Sequence, residues 1–171
     1  MNIYFTADTH FGHENIIDYC NRPFTCARDM QAFMINAWNN VVGHNDRVYH
    51  LGDFGFLNHS TFEHILSKLN GEVYLIRGNH DQDYVEKVVD HTFRYHEFKF
   101  SSFHQYRNST LEVALFHYPI ERWHHMKRDM IHLHGHVHGN MGVVTAPNRI
   151  DVGVDNWEYA PVSVEQIKNV L

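Results

Sequence analysis

The chain has 171 residues, of which 43% are hydrophobic and 20% are charged, so it has the composition of a soluble globular protein and the length of a single domain, residues 1–171. Its net charge of −6 argues against tight non-specific binding to nucleic acid, and its two cysteines, Cys20 and Cys26, form neither a CxxC pair nor a disulfide framework. We find no signal peptide and no apolar run that could span a membrane, and we therefore expect a cytoplasmic protein without a membrane segment.

The first half of the chain alternates apolar strands with amphipathic helices. Apolar runs and helical spacing predict, in order, a strand over 2–7, a short helix over 14–19, a helix over 28–42, a strand over 47–51 and a strand over 72–77. Between the last two strands, Ser60 or Thr61 can cap a further helix, which ends at Asn70-Gly71.

The second half is richer in strands. Its predicted elements are a short helix over 83–89 and strands over 93–100, 102–106, 111–116, 131–137, 143–145 and 150–154. Ser163 and Gln166 match a capping box at the start of a final helix. The alternation followed by strands predicts an α/β fold built in layers.

The chain has seventeen histidines, and because histidine is the commonest metal ligand we expect that the protein binds metal. With so many histidines, however, no single one is by itself good evidence for a metal site. The informative feature is where the polar residues of metal-ligand type lie. They follow five apolar runs, as Asp8 with His10, Asp53, Asn79 with His80, His117, and His136 with His138. Residues two apart in a strand point to one face, so the first and last pairs could each present two ligands to one site.

The tetrapeptide Gly78-Asn79-His80-Asp81 combines an amide, an imidazole and a carboxylate after a buried strand. The Asn79 oxygen can bind a metal without adding charge, and His80 beside Asp81 has the pattern of an acid or base oriented by a partner. The alternative is a polar turn that only begins the next helix, since Gly, Asn and Asp are common turn residues.

Taken together and in this order, the five motifs resemble those of the calcineurin-like metallophosphoesterases, in particular the compact bacterial and phage phosphodiesterases. The resemblance implies an α/β/β/α sandwich, with two mixed sheets flanked by helices, that holds two metal ions. It assigns Asp8, His10 and His138 to one ion, Asn79, His117 and His136 to the other, and Asp53 to both. His80 would lie near the leaving group or a phosphoryl oxygen, oriented by Asp81.

The ligand chemistry agrees with this implication. Oxygen and imidazole ligands without thiolate suit Mn²⁺, Fe, Zn²⁺, Co²⁺ or Ni²⁺, and we expect two divalent ions, with Mn²⁺ first. Two ions about 3.5–4 Å apart can share a hydroxide that attacks phosphorus and can clamp the phosphoryl oxygens. The site stays positive in an acidic protein, so a phosphate ester is attracted locally.

The residues that follow Asp53 differ from those of some members of this superfamily, and this difference narrows the expected substrate class. Protein serine/threonine phosphatases and dinucleoside tetraphosphate hydrolases of this superfamily extend the second motif with an arginine, whereas Asp53 is followed by Phe54-Gly55-Phe56. We therefore expect a phosphodiesterase acting on a small-molecule or nucleotide-like phosphate ester. A phosphomonoesterase, a nuclease for short nucleic acids and a non-catalytic interaction module stay open as alternatives, as does the oligomeric state.

Other polar residues are assigned supporting roles. We expect packing or ligand-supporting roles for four further histidines, namely His13, His50, His132 and His134. Arg77 and Arg149 are expected in surface salt bridges, and Asn15 and Arg22 lie in a loop that could reach the site. The loop Trp123–His125 either contacts substrate or is only solvated.

Overall fold

The chain forms two five-stranded sheets in a computed structural model that describes residues 1–81, 99–101, 104–107, 111–128 and 130–171. The strands of the first sheet are β1 (Ile3–Thr6), β2 (Arg47–His50), β3 (Glu72–Ile76), β4 (Lys99–Ser101) and β10 (Val162–Ser163). Their order is β10-β1-β2-β3-β4, with β1 to β4 parallel and β10 antiparallel to β1.

The second sheet is also mixed. Its strands are β5 (His104–Arg107), β6 (Glu112–Leu115), β7 (Ile131–His134), β8 (Val144–Ala146) and β9 (Arg149–Asp151). In the order β5-β6-β7-β9-β8, the three central strands run parallel and the two edge strands run antiparallel to them.

Helices cover the outer face of the first sheet. They are α1 (Ile16–Tyr19), α2 (Ala27–Val41) and α3 (His59–Leu66), and a final helix, α4, spans Val164–Val170. Met30, Met34 and Trp38 lie one turn apart on α2 and are at most 2% exposed, so this helix buries a single stripe against the sheet.

Two large apolar clusters hold the layers together. One lies between the helices and the first sheet, and the other lies between the two sheets, where strand residues such as Phe5, Val113, Leu133 and Ile150 are fully buried. A smaller cluster of Ala114, Trp123 and Met130 covers the outer face of the second sheet, beside a 3-10 helix at Met126–Arg128. The predicted sandwich of two mixed sheets with flanking helices is therefore confirmed.

Local predictions about the helix ends have mixed outcomes. The Ser163 capping box is confirmed, because its side chain and that of Gln166 each accept from the other's backbone amide. The cap of α3 is Asn58 rather than Ser60 or Thr61, since the Asn58 side-chain oxygen accepts from the Thr61 amide at 2.9 Å.

Some sequence predictions lie outside the described residues: the helix over 83–89, most of the strand over 93–100 and the start of the strand over 102–106. Among the described residues, no helix is both long enough and apolar enough to cross a membrane.

Candidate metal centre

The parallel strands of both sheets end at a common edge, and the predicted ligands lie there. β1, β2 and β3 run parallel in one sheet, and β6 and β7 run parallel in the other. Ligand-type residues follow all five of these strands. Two groups result, in each of which the ligand atoms lie within 4.8 Å of one another: Asp8 with His10 and His138, and Asp53 with His117 and His136.

Asp53 links the two groups. Its Oδ2 atom lies 3.6 Å from His10 Nε2 in one group and 3.5 Å from His117 Nε2 in the other. The Asn79 side-chain oxygen lies 2.9 Å from the same His117 nitrogen. All seven predicted ligands are thus brought together, with the carboxylate of Asp53 in the position that a bridging ligand would occupy.

Five of the seven ligand-type residues have left-handed backbone conformations: φ is 59° at Asp8, 49° at His10, 55° at Asp53, 72° at His136 and 49° at His138. This region is unfavourable for residues other than glycine, at about 1–3 kcal/mol each, and such strain is concentrated at functional sites. The ligand loops are therefore held in conformations that the local sequence alone does not favour.

These conformations correct one prediction. His136 was expected inside the strand over 131–137, but β7 ends at His134, and β1 likewise ends at Thr6, before Asp8. Asp8 and His10, like His136 and His138, point to the site because their backbones are left-handed. The alternation of side chains along a strand does not explain their arrangement.

Backbone hydrogen bonds lock the first two ligand loops to each other. The Asp8 amide donates to the Gly52 carbonyl, and the His10 amide donates to the Asp53 carbonyl, both at 3.0 Å. A side chain at Gly135 would meet Ala7 Cβ and Asp8 Oδ2, both at 2.5 Å, so the loop after β7 can approach Asp8 only because this residue is glycine.

The buried polar atoms of two histidines indicate that a cation belongs here. The His10 ring is 1% exposed, and neither of its nitrogens has a hydrogen-bond partner among the described residues. His117 Nδ1 donates to the Leu51 carbonyl at 2.8 Å, so a neutral ring leaves Nε2 as an acceptor facing the oxygens of Asn79 and Asp53. One divalent ion in each ligand group would give the acceptor nitrogen of each ring a partner, so the residues present fit the metal centre that the resemblance implies.

Asp8 is fully buried, and burial raises its pKa to about 7, against the opposing effect of His117 and His138. Both of its oxygens accept from the His136 amide, at 3.1 and 2.9 Å. A carboxylate that is costly to ionise in the protein alone is well suited to a cation, which stabilises the charged form.

Asp155 supports this group and was missed by sequence reasoning. Its carboxylate accepts from His138 Nδ1 at 2.9 Å and from Arg22 Nε and Nη2 at 2.8 and 2.9 Å. Burial lowers the pKa of His138, but the Asp155 hydrogen bond outweighs it and raises the pKa to about 10. The bond also directs His138 Nε2 toward the site, as carboxylates commonly do for metal-binding histidines.

Arg22 reaches the site, as its loop position suggested, but it lies in the protein interior behind the ligand residues. It is 3% exposed, and besides binding Asp155 it donates to the backbone carbonyls of Asp8 and Thr9 at 2.8 and 3.2 Å. Its position after the first motif was a usable signal. For Asp155, the only available signal was a carboxylate shortly after a strand.

His80 lies at the exposed mouth of the centre. Its amide donates to Asp53 Oδ1 at 2.8 Å, which fixes its backbone to the carboxylate that links the two ligand groups. Its ring centroid is 5.6 Å from that of His10 and 5.0 Å from that of Phe56. The imidazole is therefore beside the ligand groups but open to solvent, where a substrate would approach.

The hydrogen-bond partners of Asp81 differ from the predicted partner, the His80 ring. Its buried carboxylate accepts from the backbone amides of Asp53, Phe54 and Gly78 at 2.9, 2.8 and 2.7 Å. In the described part of the chain, the hydrogen bonds of Asp81 all run to backbone amides, and none orients the His80 ring. Asp81 joins the loop after β3 to the loop after β2.

Three of the other histidines have the expected supporting contacts. His50 contacts the Thr9 hydroxyl at 2.9 Å, His132 the Ala114 carbonyl at 3.1 Å and His134 the Thr145 hydroxyl at 2.8 Å. Burial lowers the pKa of all three rings, so they are neutral packing elements of the sheets. Arg149 donates to the Ile120 and Thr145 carbonyls, and it has no ion pair with the residues that the structure describes.

Comparison with known proteins agrees with the geometry. The chain is 37% identical to the uncharacterized protein MJ1445 of Methanocaldococcus jannaschii over 99% of its length and 90% of that protein. It is 27% identical to the Gene 66 protein of Mycobacterium phage L5, covering 91% of this chain and 87% of that one. The crystal structure of AQ665 from Aquifex aeolicus, a protein of unknown function, superposes with a TM-score of 0.77 at 27% identity, over 99% of both chains.

A family model, that of the calcineurin-like phosphoesterase superfamily domain, matches residues 1–148. That span contains all five strand-end motifs. The chain belongs to the calcineurin-like phosphoesterase superfamily.

Proposed function

We propose that this protein is a phosphodiesterase that uses two divalent metal ions, with Mn²⁺ the first candidate. The observation that carries the proposal is the position of Asp53, whose Oδ2 atom is within 3.6 Å of a histidine from each ligand group. One carboxylate shared by two sets of ligands is the arrangement that a binuclear centre requires.

Each ion would have its own ligands. Asp8, His10 and His138 would hold one, and Asn79, His117 and His136 would hold the other, with Asp53 contributing to both. When bound, the two ions activate water as a nucleophile and neutralise the charge of the phosphoryl oxygens.

His80 supplies what the ligand groups do not. A leaving alkoxide must be protonated, and an imidazole is suited to donate that proton near neutral pH. Because its amide donates to Asp53 Oδ1, the His80 backbone is anchored beside that carboxylate, while the residue remains exposed. We assign it as the general acid.

The walls of the site favour a diester over a monoester. Phe56 and Tyr118 are 38% and 37% exposed at the mouth, and they contact opposite ligand groups. The Phe56 ring centroid is 6.3 Å from that of His10, whereas the Tyr118 centroid is 4.7 Å from that of His136. Apolar rings suit an organic ester group better than a second phosphoryl charge.

Hydrolysis of bis-p-nitrophenyl phosphate and of p-nitrophenyl phosphate tests the proposal. We expect metal-dependent hydrolysis of both after loading with Mn²⁺ or Ni²⁺, with the higher kcat/KM for the diester, and none with excess chelator. Absence of metal-dependent activity on both compounds would contradict the phosphoesterase assignment, and a higher kcat/KM for the monoester would contradict the diesterase assignment.

A further inference from the structure

The loop Trp123–His125 lies away from the metal centre. It follows His117 in the chain, but His125 Nδ1 lies 3.3 Å from the carboxylate of Glu112, the first residue of β6. The Trp123 indole donates to the Met130 carbonyl, just before β7 begins. The segment therefore crosses the outer face of the second sheet, from the metal edge to the opposite edge, a distance of about 13 Å for a four-residue strand.

An open cavity of about 1110 Å³ lies between this segment and the turn that joins β8 to β9. Among the described residues, Arg122, Arg128 and Arg149 line it, together with a single carboxylate, Glu121. Three guanidinium groups against one carboxylate make a locally positive cavity on a protein whose net charge is −6.

The three arginines are not equivalent. Arg149 is fixed by hydrogen bonds to Thr145 and to the Ile120 carbonyl, so it forms part of the wall. Arg122 and Arg128 are exposed, and within the described ranges neither guanidinium has a hydrogen bond or an ion pair. The described part of the chain therefore leaves the donors of these two groups available to a ligand, and the planar donor fork of arginine matches phosphate oxygens.

The rest of the lining suits a flat ring. His124 and His125 stack with ring centroids 3.7 Å apart, and Met126 and Pro147 add apolar surface. The cavity is also much larger than one phosphate ion requires, since small-molecule sites measure about 300–1,000 Å³.

We propose that this cavity is a second ligand site, distinct from the metal centre, that binds a nucleoside polyphosphate through Arg122 and Arg128. The phosphates contact the guanidinium groups of these two arginines, and the base lies against the stacked histidines and the apolar lining. The site does not depend on the proposed catalytic activity, because no ligand-type residue of the metal centre lines it.

Calorimetric titration with ATP tests this, using the full chain in EDTA so that no metal-bound site competes. Wild type is expected to bind one ATP, with affinity that falls as salt is raised. The double variant Arg122→Ala/Arg128→Ala is expected to bind at least tenfold more weakly while hydrolysing bis-p-nitrophenyl phosphate at the wild-type rate after metal loading. The matched control is Arg28→Ala/Lys68→Ala, which removes two exposed charges elsewhere and should bind ATP within twofold of wild type.

A second variant distinguishes the loss of positive charge from a disturbance of the fold. Arg122→Lys/Arg128→Lys keeps both charges and should retain most of the affinity that the alanine variant loses, with an unchanged melting temperature. No binding of ATP by wild type, or equal binding by wild type and the alanine variant, would overturn the site. Tripolyphosphate binding as tightly as ATP would overturn the role of the base.

Discussion

Replacing Asp155 with asparagine removes the hydrogen-bond partner that orients His138 and leaves all the proposed metal ligands in place. The carboxylate accepts three hydrogen bonds, one from His138 and two from Arg22, and it is 9% exposed. Asparagine has nearly the same shape but a single acceptor oxygen, and its amide would place donors against donors. His138 then loses the partner that directs Nε2 toward Asp8 and His10.

The size of the effect follows from the role of such partners. Loss of a group that orients a metal-binding histidine weakens metal binding or activity by about 10–100-fold, which corresponds to roughly 1.4–2.8 kcal/mol. The ion held by Asp8, His10 and His138 should take this loss. The ion held by Asn79, His117 and His136 should be affected much less, because Asp155 contacts none of those side chains in the described part of the chain.

Metal content after dialysis against a limiting concentration of Mn²⁺ measures this selectivity. We expect about two ions per chain in wild type and about one in Asp155→Asn, with a matching loss of diester hydrolysis. Asp18→Asn is the matched control, because Asp18 is exposed on α1 and away from the ligands. Wild-type metal content and turnover in Asp155→Asn would refute the reasoning.

Three further predictions concern single side chains. His80→Ala should lower kcat for the diester by about 100-fold or more while leaving metal content unchanged, because its imidazole donates a proton and holds no ion; equal losses would make it a ligand. Phe56→Ala should raise KM for bis-p-nitrophenyl phosphate about three- to tenfold, with Phe56→Leu intermediate, and an unchanged KM would remove the ring from the substrate site. Asp81→Ala should lower the free energy of unfolding by about 3–5 kcal/mol in a denaturant titration, because it leaves three buried amides without acceptors, and a change below about 1 kcal/mol would contradict that role.

The order of the strands and helices and the clustering of ligand-type residues could be predicted because both follow from local sequence patterns. Apolar runs mark β1, β2, β3, β6 and β7, and the residue types that follow each run are those that bind metals. Parallel strands then bring these ends to one edge, which is why seven residues scattered over 130 positions of the chain meet.

The detailed geometry could not be predicted because it depends on contacts between distant segments. Asp8 and His136 have left-handed conformations in loops that are hydrogen-bonded to distant segments, whereas the sequence pattern placed His136 in a strand and indicated no such conformation at Asp8. Asp81 is adjacent to His80 in sequence, yet its carboxylate is drawn to amides 27 and 28 residues away. Asp155 acquires its role only through contacts with His138 and Arg22, which no local pattern encodes.

The central claim is that two ions share Asp53, and anomalous scattering from crystals loaded with Mn²⁺ tests it most directly. We predict two peaks about 3.5–4 Å apart, one among Asp8, His10 and His138 and one among Asn79, His117 and His136, with the Asp53 carboxylate in contact with both. A single peak, or two peaks without Asp53 between them, would contradict the account.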